Sequence, residues 1–243
     1  MPPAVAAATS RVGLAARYVE HGNEMASDIE RILSERPLGP GTRVLDWGCG
    51  AGRAALPLLE RHPDLGLEGC DVDAQAMDWL RRNAPDVERR FRVWPFHPPL
   101  PYEDASFDVI YAISVFTHLD RDDQLAWLRE LARILVPGGI AVLTTQGHYA
   151  FDRPMLVGVP EHTAEQLRSR RGIRLDELGF VFASYSGDLA KRDKVPGISG
   201  DYGMAFQSES WTHSNWSDIL DIDRVVPAGV DGYRDAVVAV RRR

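Results

Sequence analysis

Ten consecutive residues constrain this chain more than any others: Val44-Leu45-Asp46-Trp47-Gly48-Cys49-Gly50-Ala51-Gly52-Arg53. An apolar pair leads into a carboxylate, and three alternate glycines follow. An apolar run at helical spacing (Ala54, Ala55, Leu56, Leu58, Leu59) begins immediately after. That order reads as strand, tight turn, helix. Glycine is needed where the backbone takes a positive φ or lies against a ligand with no Cβ between. The start of the helix offers unpaired N–H groups and the positive end of its dipole. The stretch therefore builds a floor of bare backbone with one acid, Asp46, on its lip.

Other glycine loops differ from this one in identifiable ways. The dinucleotide fingerprint wants G-x-G-x-x-G, whereas the spacing here is G-x-G-x-G with an acid two residues before the first glycine. The phosphate-binding Gly-Lys-Ser/Thr is absent. An acid at a strand tip repels a pyrophosphate and suits a ligand bearing an ammonium or a sulfonium. The stretch resembles the first motif of class I S-adenosylmethionine-dependent methyltransferases. That resemblance implies an α/β, Rossmann-like fold: a seven-stranded, mostly parallel sheet with helices on both faces. It also implies S-adenosyl-L-methionine as cofactor, with the amino group near Asp46 and the methionine end over Gly48, Cys49, Gly50 and Gly52.

Later segments extend the resemblance. Leu65 to Asp71 reads as the second strand, and Asp71 lies where a ribose-binding acid belongs in nucleotide-type α/β folds. Val72 could cover a face of adenine, while Asp73 suits the N-cap of a helix over 74–83. Phe91 to Val93 reads as a third strand. Family members often carry an acid just beyond it; here Phe96 and His97 stand there, and an aromatic could stack on the base. A proline-rich turn packing its aromatics on the core explains the same residues. Leu100 to Asp108 resembles the family's approach to a fourth strand, read over Val109 to Ser114. Ser114 is then a candidate cofactor contact at the carboxyl edge. Asp120 to Leu135 is an amphipathic helix stopped by Val136-Pro137-Gly138-Gly139, and Ile140 to Thr145 is the fifth strand.

The pattern loosens outside this core. Residues 1–40 read as an N-terminal segment, frayed to about residue 12, then helical with a break near Gly22. Residues 41–146 are the cofactor-binding core. Residues 147–207 read as an insertion that caps the substrate, with a helix over 164–170 capped by Thr163 and a strand over 180–185. Residues 208–243 return to the sheet through a helix bearing Trp211 and Trp216 and two strands joined at Pro227-Ala228-Gly229.

For catalysis, an oxygen acceptor is helped by a base. His148, beyond the fifth strand, is the first candidate and His118, beyond the fourth, the second. His213 and Tyr202 are lesser cap candidates. No tight metal-ligand spacing is present, so no metal is expected. Composition bears on the partner. A net charge of −7 over 243 residues gives no reason to expect a phosphate backbone. The expected acceptor is a small molecule or sugar, methylated on oxygen, with no nucleic-acid and no membrane partner. Cys49 and Cys70 read as reduced packing thiols in a cytoplasmic protein. A nicotinamide-dependent oxidoreductase and a non-catalytic cofactor-binding partner stand as alternatives. Oligomeric state is open.

Overall fold

The computed structural model describes residues 13–84, 90–94, 96–185 and 202–243, with side chains from residue 17. The fraying expected before residue 12 lies outside the described residues.

The seven-stranded sheet has the order β3-β2-β1-β4-β5-β9-β8. Its strands are β1 (Arg43–Trp47), β2 (Gly66–Asp71), β3 (Phe91–Val93), β4 (Phe107–Ala112), β5 (Leu135–Thr145), β8 (Asp221–Val230) and β9 (Arg234–Val240). The first five run parallel, and β9 is antiparallel to both β5 and β8. Strand order reverses between β1 and β4. Ligands of open α/β sheets sit at such a reversal, outside the carboxyl ends of the strands. Both the glycine loop and the end of β4 lie there.

Successive side chains of a strand face opposite sides, and the core divides accordingly. Val44, Val109 and Tyr111 join one buried cluster with α1 (Gly13–Ile32), α2 (Ala55–Arg61) and α3 (Ala74–Asn83). Leu45, Ile110 and Ala112 join the other, with α4 (Arg121–Ile134) and α8 (Glu209–Trp216). On α4, Leu128, Leu131 and Ile134 are wholly buried, each contributing about 2 kcal/mol. Its N-cap is Asp120, which accepts from the Asp123 amide at 2.9 Å.

One buried acid escaped the reading of the sequence. Glu130, on α4, accepts the Leu100 amide at 2.7 Å and the Arg133 guanidinium at 2.6 Å. Arg133 in turn donates to the carbonyls of Leu100 and Tyr102 and to Asp104. Together they fasten the approach to β4 onto α4. Glu130→Ala is expected to cost about 2–3 kcal/mol in urea unfolding, below the roughly 3–5 kcal/mol of a fully buried pair because Arg133 is partly in water. An unchanged midpoint would show the pair to be incidental.

Several local expectations are corrected. Gly22 does not break the N-terminal helix: a Cβ there would stand 2.4 Å from the Arg53 carbonyl oxygen. The glycine allows close approach to the loop. Val136-Pro137-Gly138-Gly139 ends α4 yet continues as strand, because the chain is held by β4 on one side and Arg241 on the other. Strand β4 stops at Ala112, and Ser114 has φ +63°. Pro227-Ala228-Gly229 is a bulge inside β8, and the hairpin turns at Asp231-Gly232-Tyr233.

Residues beyond β5 form α5 (His148–Asp152), α6 (Glu161–Arg168), α7 (Leu175–Leu178) and an antiparallel pair, β6 (Phe180–Ser184) with β7 (Gly203–Gln207). Thr163 is inside α6 rather than its cap; its hydroxyl donates to the Ser184 carbonyl at 2.7 Å. Ala150, Leu167, Val181 and Phe206 give this part its own core. Among the described residues, no helix is long and apolar enough to cross a membrane.

Candidate cofactor site

Strand β1 delivers Asp46 to the carboxyl edge, and the loop turns back at once. Gly48, Gly50 and Gly52 all have positive φ, between +53° and +79°. A Cβ at Gly48 would stand 2.2 Å from Val115 Cγ2, whereas one at Gly50 would meet nothing within 4 Å. Gly48 thus allows the loop to pass under Val115, and Gly50 leaves bare backbone facing open space. Gly52 does a different job: a Cβ there would press Leu56 and Leu80 at 3.1 Å, so it seats the loop on the helices.

Asp71, at the tip of β2, clamps the loop. Its Oδ2 accepts the Gly50 amide at 2.7 Å and its Oδ1 the Asp73 amide at 2.8 Å. Burial raises its pKa above the ordinary carboxylate value, against the pull of the bonds from the backbone amides. A carboxylate offers about four lone-pair sites, so two remain for vicinal hydroxyls. Asp46 is 3% exposed and accepts the Tyr111 hydroxyl at 2.9 Å. Burial pushes its pKa up to about 8, the Tyr111 bond opposes that, and the charge of Asp71 adds to it. A buried acid so reluctant to ionise is ready for a cationic partner.

Two cavities meet over this loop, sharing Gly48 and Ser114. One, about 210 Å³, is lined by Asp46, Gly48, Cys49, Gly50, Tyr18, Arg53, Ser114 and Arg234. The other, about 130 Å³, is lined by Asp71, Val72, Phe96, Ser114, Trp47, Trp94, Trp127 and Tyr202. The first is polar, with an acid and two guanidinium groups; the second is a box of rings. Arg53 lies over the Tyr18 ring at 4.8 Å. Arg234 is held by Asp231 and donates to the Ser114 hydroxyl at 3.2 Å.

Of the expected cofactor residues, Asp46, Gly48, Cys49, Gly50, Asp71, Val72, Phe96 and Ser114 are brought to these walls, while Gly52 lies behind them. Neither candidate base is on either wall. His118 is partly buried, with Nδ1 2.8 Å from the Gly203 carbonyl and its ring stacked on Tyr202 at 4.8 Å. Burial lowers its pKa to about 4, so it is neutral near pH 7. His148 is half-exposed and its Nε2 is 2.9 Å from Asp176. Both histidines tie the segment after β5 together. Arg234, Tyr18, Trp47, Trp94 and Trp127 were missed. Trp94 stands two residues before Phe96 and could have been found; nothing in the spacing marks Arg234.

Residues 44–139 match a family described as a methyltransferase domain. Over those residues the chain carries a methyltransferase domain. The solved structure of a SAM-dependent methyltransferase from Aquifex aeolicus has the same fold, at TM-score 0.54 and 20% identity, over 90% of this chain and 91% of that one. The methyltransferase domain takes S-adenosylmethionine, as the resemblance of the glycine loop implies.

Among curated relatives, the tRNA N(3)-methylcytidine methyltransferase trm141 of Schizosaccharomyces pombe is 31% identical over 132 residues, covering 51% of this chain and 52% of that protein. The trans-aconitate 2-methyltransferase of Azoarcus sp. is 29% identical over 163 residues, covering 65% and 60%. Further tRNA N(3)-cytidine methyltransferases, from Drosophila melanogaster, Gallus gallus and Homo sapiens, match at 30–32%. The chain spans about half the length, or less, of these tRNA-modifying relatives. They overturn the expectation of a small-molecule or sugar acceptor methylated on oxygen, and with it the exclusion of nucleic acid. Overall charge misled because a net value over the whole chain is silent about where its cations gather.

Proposed function

We propose that this methyltransferase domain modifies a ring nitrogen of an RNA base. The support that carries the reading is the group of tRNA N(3)-cytidine methyltransferases among its relatives. The walls of the two cavities agree with it. An oxygen acceptor is helped by loss of a proton, whereas a neutral ring nitrogen attacks with a lone pair it already holds. Neither candidate histidine lines the cavities.

The residues present fit S-adenosylmethionine. Asp46 would hold the ammonium, Arg53 or Arg234 the carboxylate, Asp71 the ribose, and the rings of Trp94, Phe96 and Tyr202 would enclose the adenine. When bound, the cofactor supplies a methyl on sulfonium with a neutral thioether as leaving group. The protein's part is to align the acceptor and exclude water.

The test is incubation with tritium-labelled cofactor and separate RNA, protein and small-molecule fractions of a cell extract. Label in RNA that digests to an N-methylated nucleoside is the expected result. Label confined to the small-molecule or protein fraction would refute an RNA acceptor.

A further inference from the structure

A second cleft, about 480 Å³, lies apart from the cofactor cavities, between the end of α5 and the stretch from α6 to α7. Five arginines line it: Arg153, Arg168, Arg170, Arg171 and Arg174, with Asp152 the acid on its wall. Residues 148–174 hold five arginines against three acids, in a chain whose net charge is −7. The positive charge here is therefore concentrated against the overall balance.

The arginines are not spent on internal partners. Arg168 pairs with Glu161 and Arg174 with Asp176, both at the surface, where such pairs hold weakly. The Arg170 side chain, in the turn after α6, donates to the Gln166 carbonyl, and the Arg171 side chain has no partner among the described residues. Arg153 lies over the exposed Tyr149 ring at 4.8 Å. Met155 and Ile173 are also exposed large side chains. A cleft of cations with an exposed ring at its edge and apolar side chains beside it suits a strand that offers phosphates and stacking faces.

Placement favours the acceptor. The cleft begins at Phe151, six residues after Thr145 at the carboxyl edge of β5, a reach of at most about 20 Å. Gln146 anchors that connection by donating to the Thr117 and Ala205 carbonyls.

We propose that this cleft grips the phosphodiester backbone of the RNA whose base enters the cofactor site. The inference rests on the RNA reading above. The contact positions the strand and carries no sequence preference.

The test compares parent protein with Arg170→Gln/Arg171→Gln by fluorescence anisotropy, using fluorescein-labelled bulk tRNA at 0.05–0.5 M salt. Loss of two phosphate contacts should lower the slope of log affinity against log salt by about 1.4–1.8, which is roughly 25-fold or more in affinity at 0.1 M if the curves meet at 1 M. S-adenosylhomocysteine affinity, measured by calorimetry, should be unchanged and shows that the variant is folded. If the parent binds tRNA and the variant binds it equally well with the same slope, the cleft is not the backbone site, while the RNA reading survives. If the parent shows no salt-dependent tRNA binding at all, both fall together.

Discussion

Asp46→Asn is expected to weaken S-adenosylhomocysteine binding about a hundredfold at pH 8.5, while making the ligand-free protein more stable. Asp46 is buried and accepts the Tyr111 hydroxyl, and burial pushes its pKa up to about 8. The ordinary unfolded value is about 4. The folded state therefore favours the neutral carboxyl. That contribution is fully present below about pH 4 and is lost progressively as pH rises through about 8. Asparagine removes the decline, so its thermal midpoint should exceed the parent's at pH 8 and match it more closely at pH 5.

Ligand binding runs the other way. An ammonium pairs with the ionised acid, so parent affinity should rise by up to about tenfold per pH unit between pH 6 and 8 and then level. Truncating one partner of a buried charge pair costs about 2–5 kcal/mol, and a hundredfold loss corresponds to about 2.7 kcal/mol. Calorimetric titrations of both proteins across pH 6–8.5 check this. A parent whose affinity is flat with pH, or a variant that binds as well as the parent at pH 8.5, removes Asp46 from the cofactor's amino group.

Asp71→Ala is expected to have a comparable effect for a different reason. Its two oxygens hold the Gly50 and Asp73 amides, so truncation frees the loop and removes the ribose partner at once. Two backbone donors lose charged acceptors, worth about 1.5–3 kcal/mol each before water replaces them. A loss of affinity of at least about a hundredfold follows, with a drop of about 2 kcal/mol in unfolding free energy. Asp71→Asn separates the two roles. It keeps one acceptor oxygen, so most of the stability should return while affinity for the nucleoside end stays reduced. Binding of the alanine variant at parental strength would mean that Asp71 serves the loop alone.

Much of the fold was legible because its signals are local. The glycine loop, the strand tips at Asp46 and Asp71, and the Asp73 cap depend on residues within a few positions of each other. Gly22 was misread because its reason is the Arg53 carbonyl, some thirty residues away. The surroundings of the candidate bases were hidden in the same way. Histidines at strand ends look poised in one dimension, yet His118 is occupied by Gly203 and Tyr202, and His148 by Asp176. The arginine cleft was hidden because Arg153 and the arginines from 168 to 174 are brought together by tertiary packing, with Phe151 and Leu167 in one core.

The close seating of α1 on the glycine loop through Gly22 has a thermodynamic consequence. Arg53 is approached by Gly22 from one side, Gly50 is bonded by Asp71 and Asp46 by Tyr111, so the loop is already held at three points before any ligand arrives. Docking then sacrifices little backbone entropy. The heat-capacity change on binding S-adenosylhomocysteine should be that of covering one small ligand, without the larger negative value that accompanies the folding of a disordered segment.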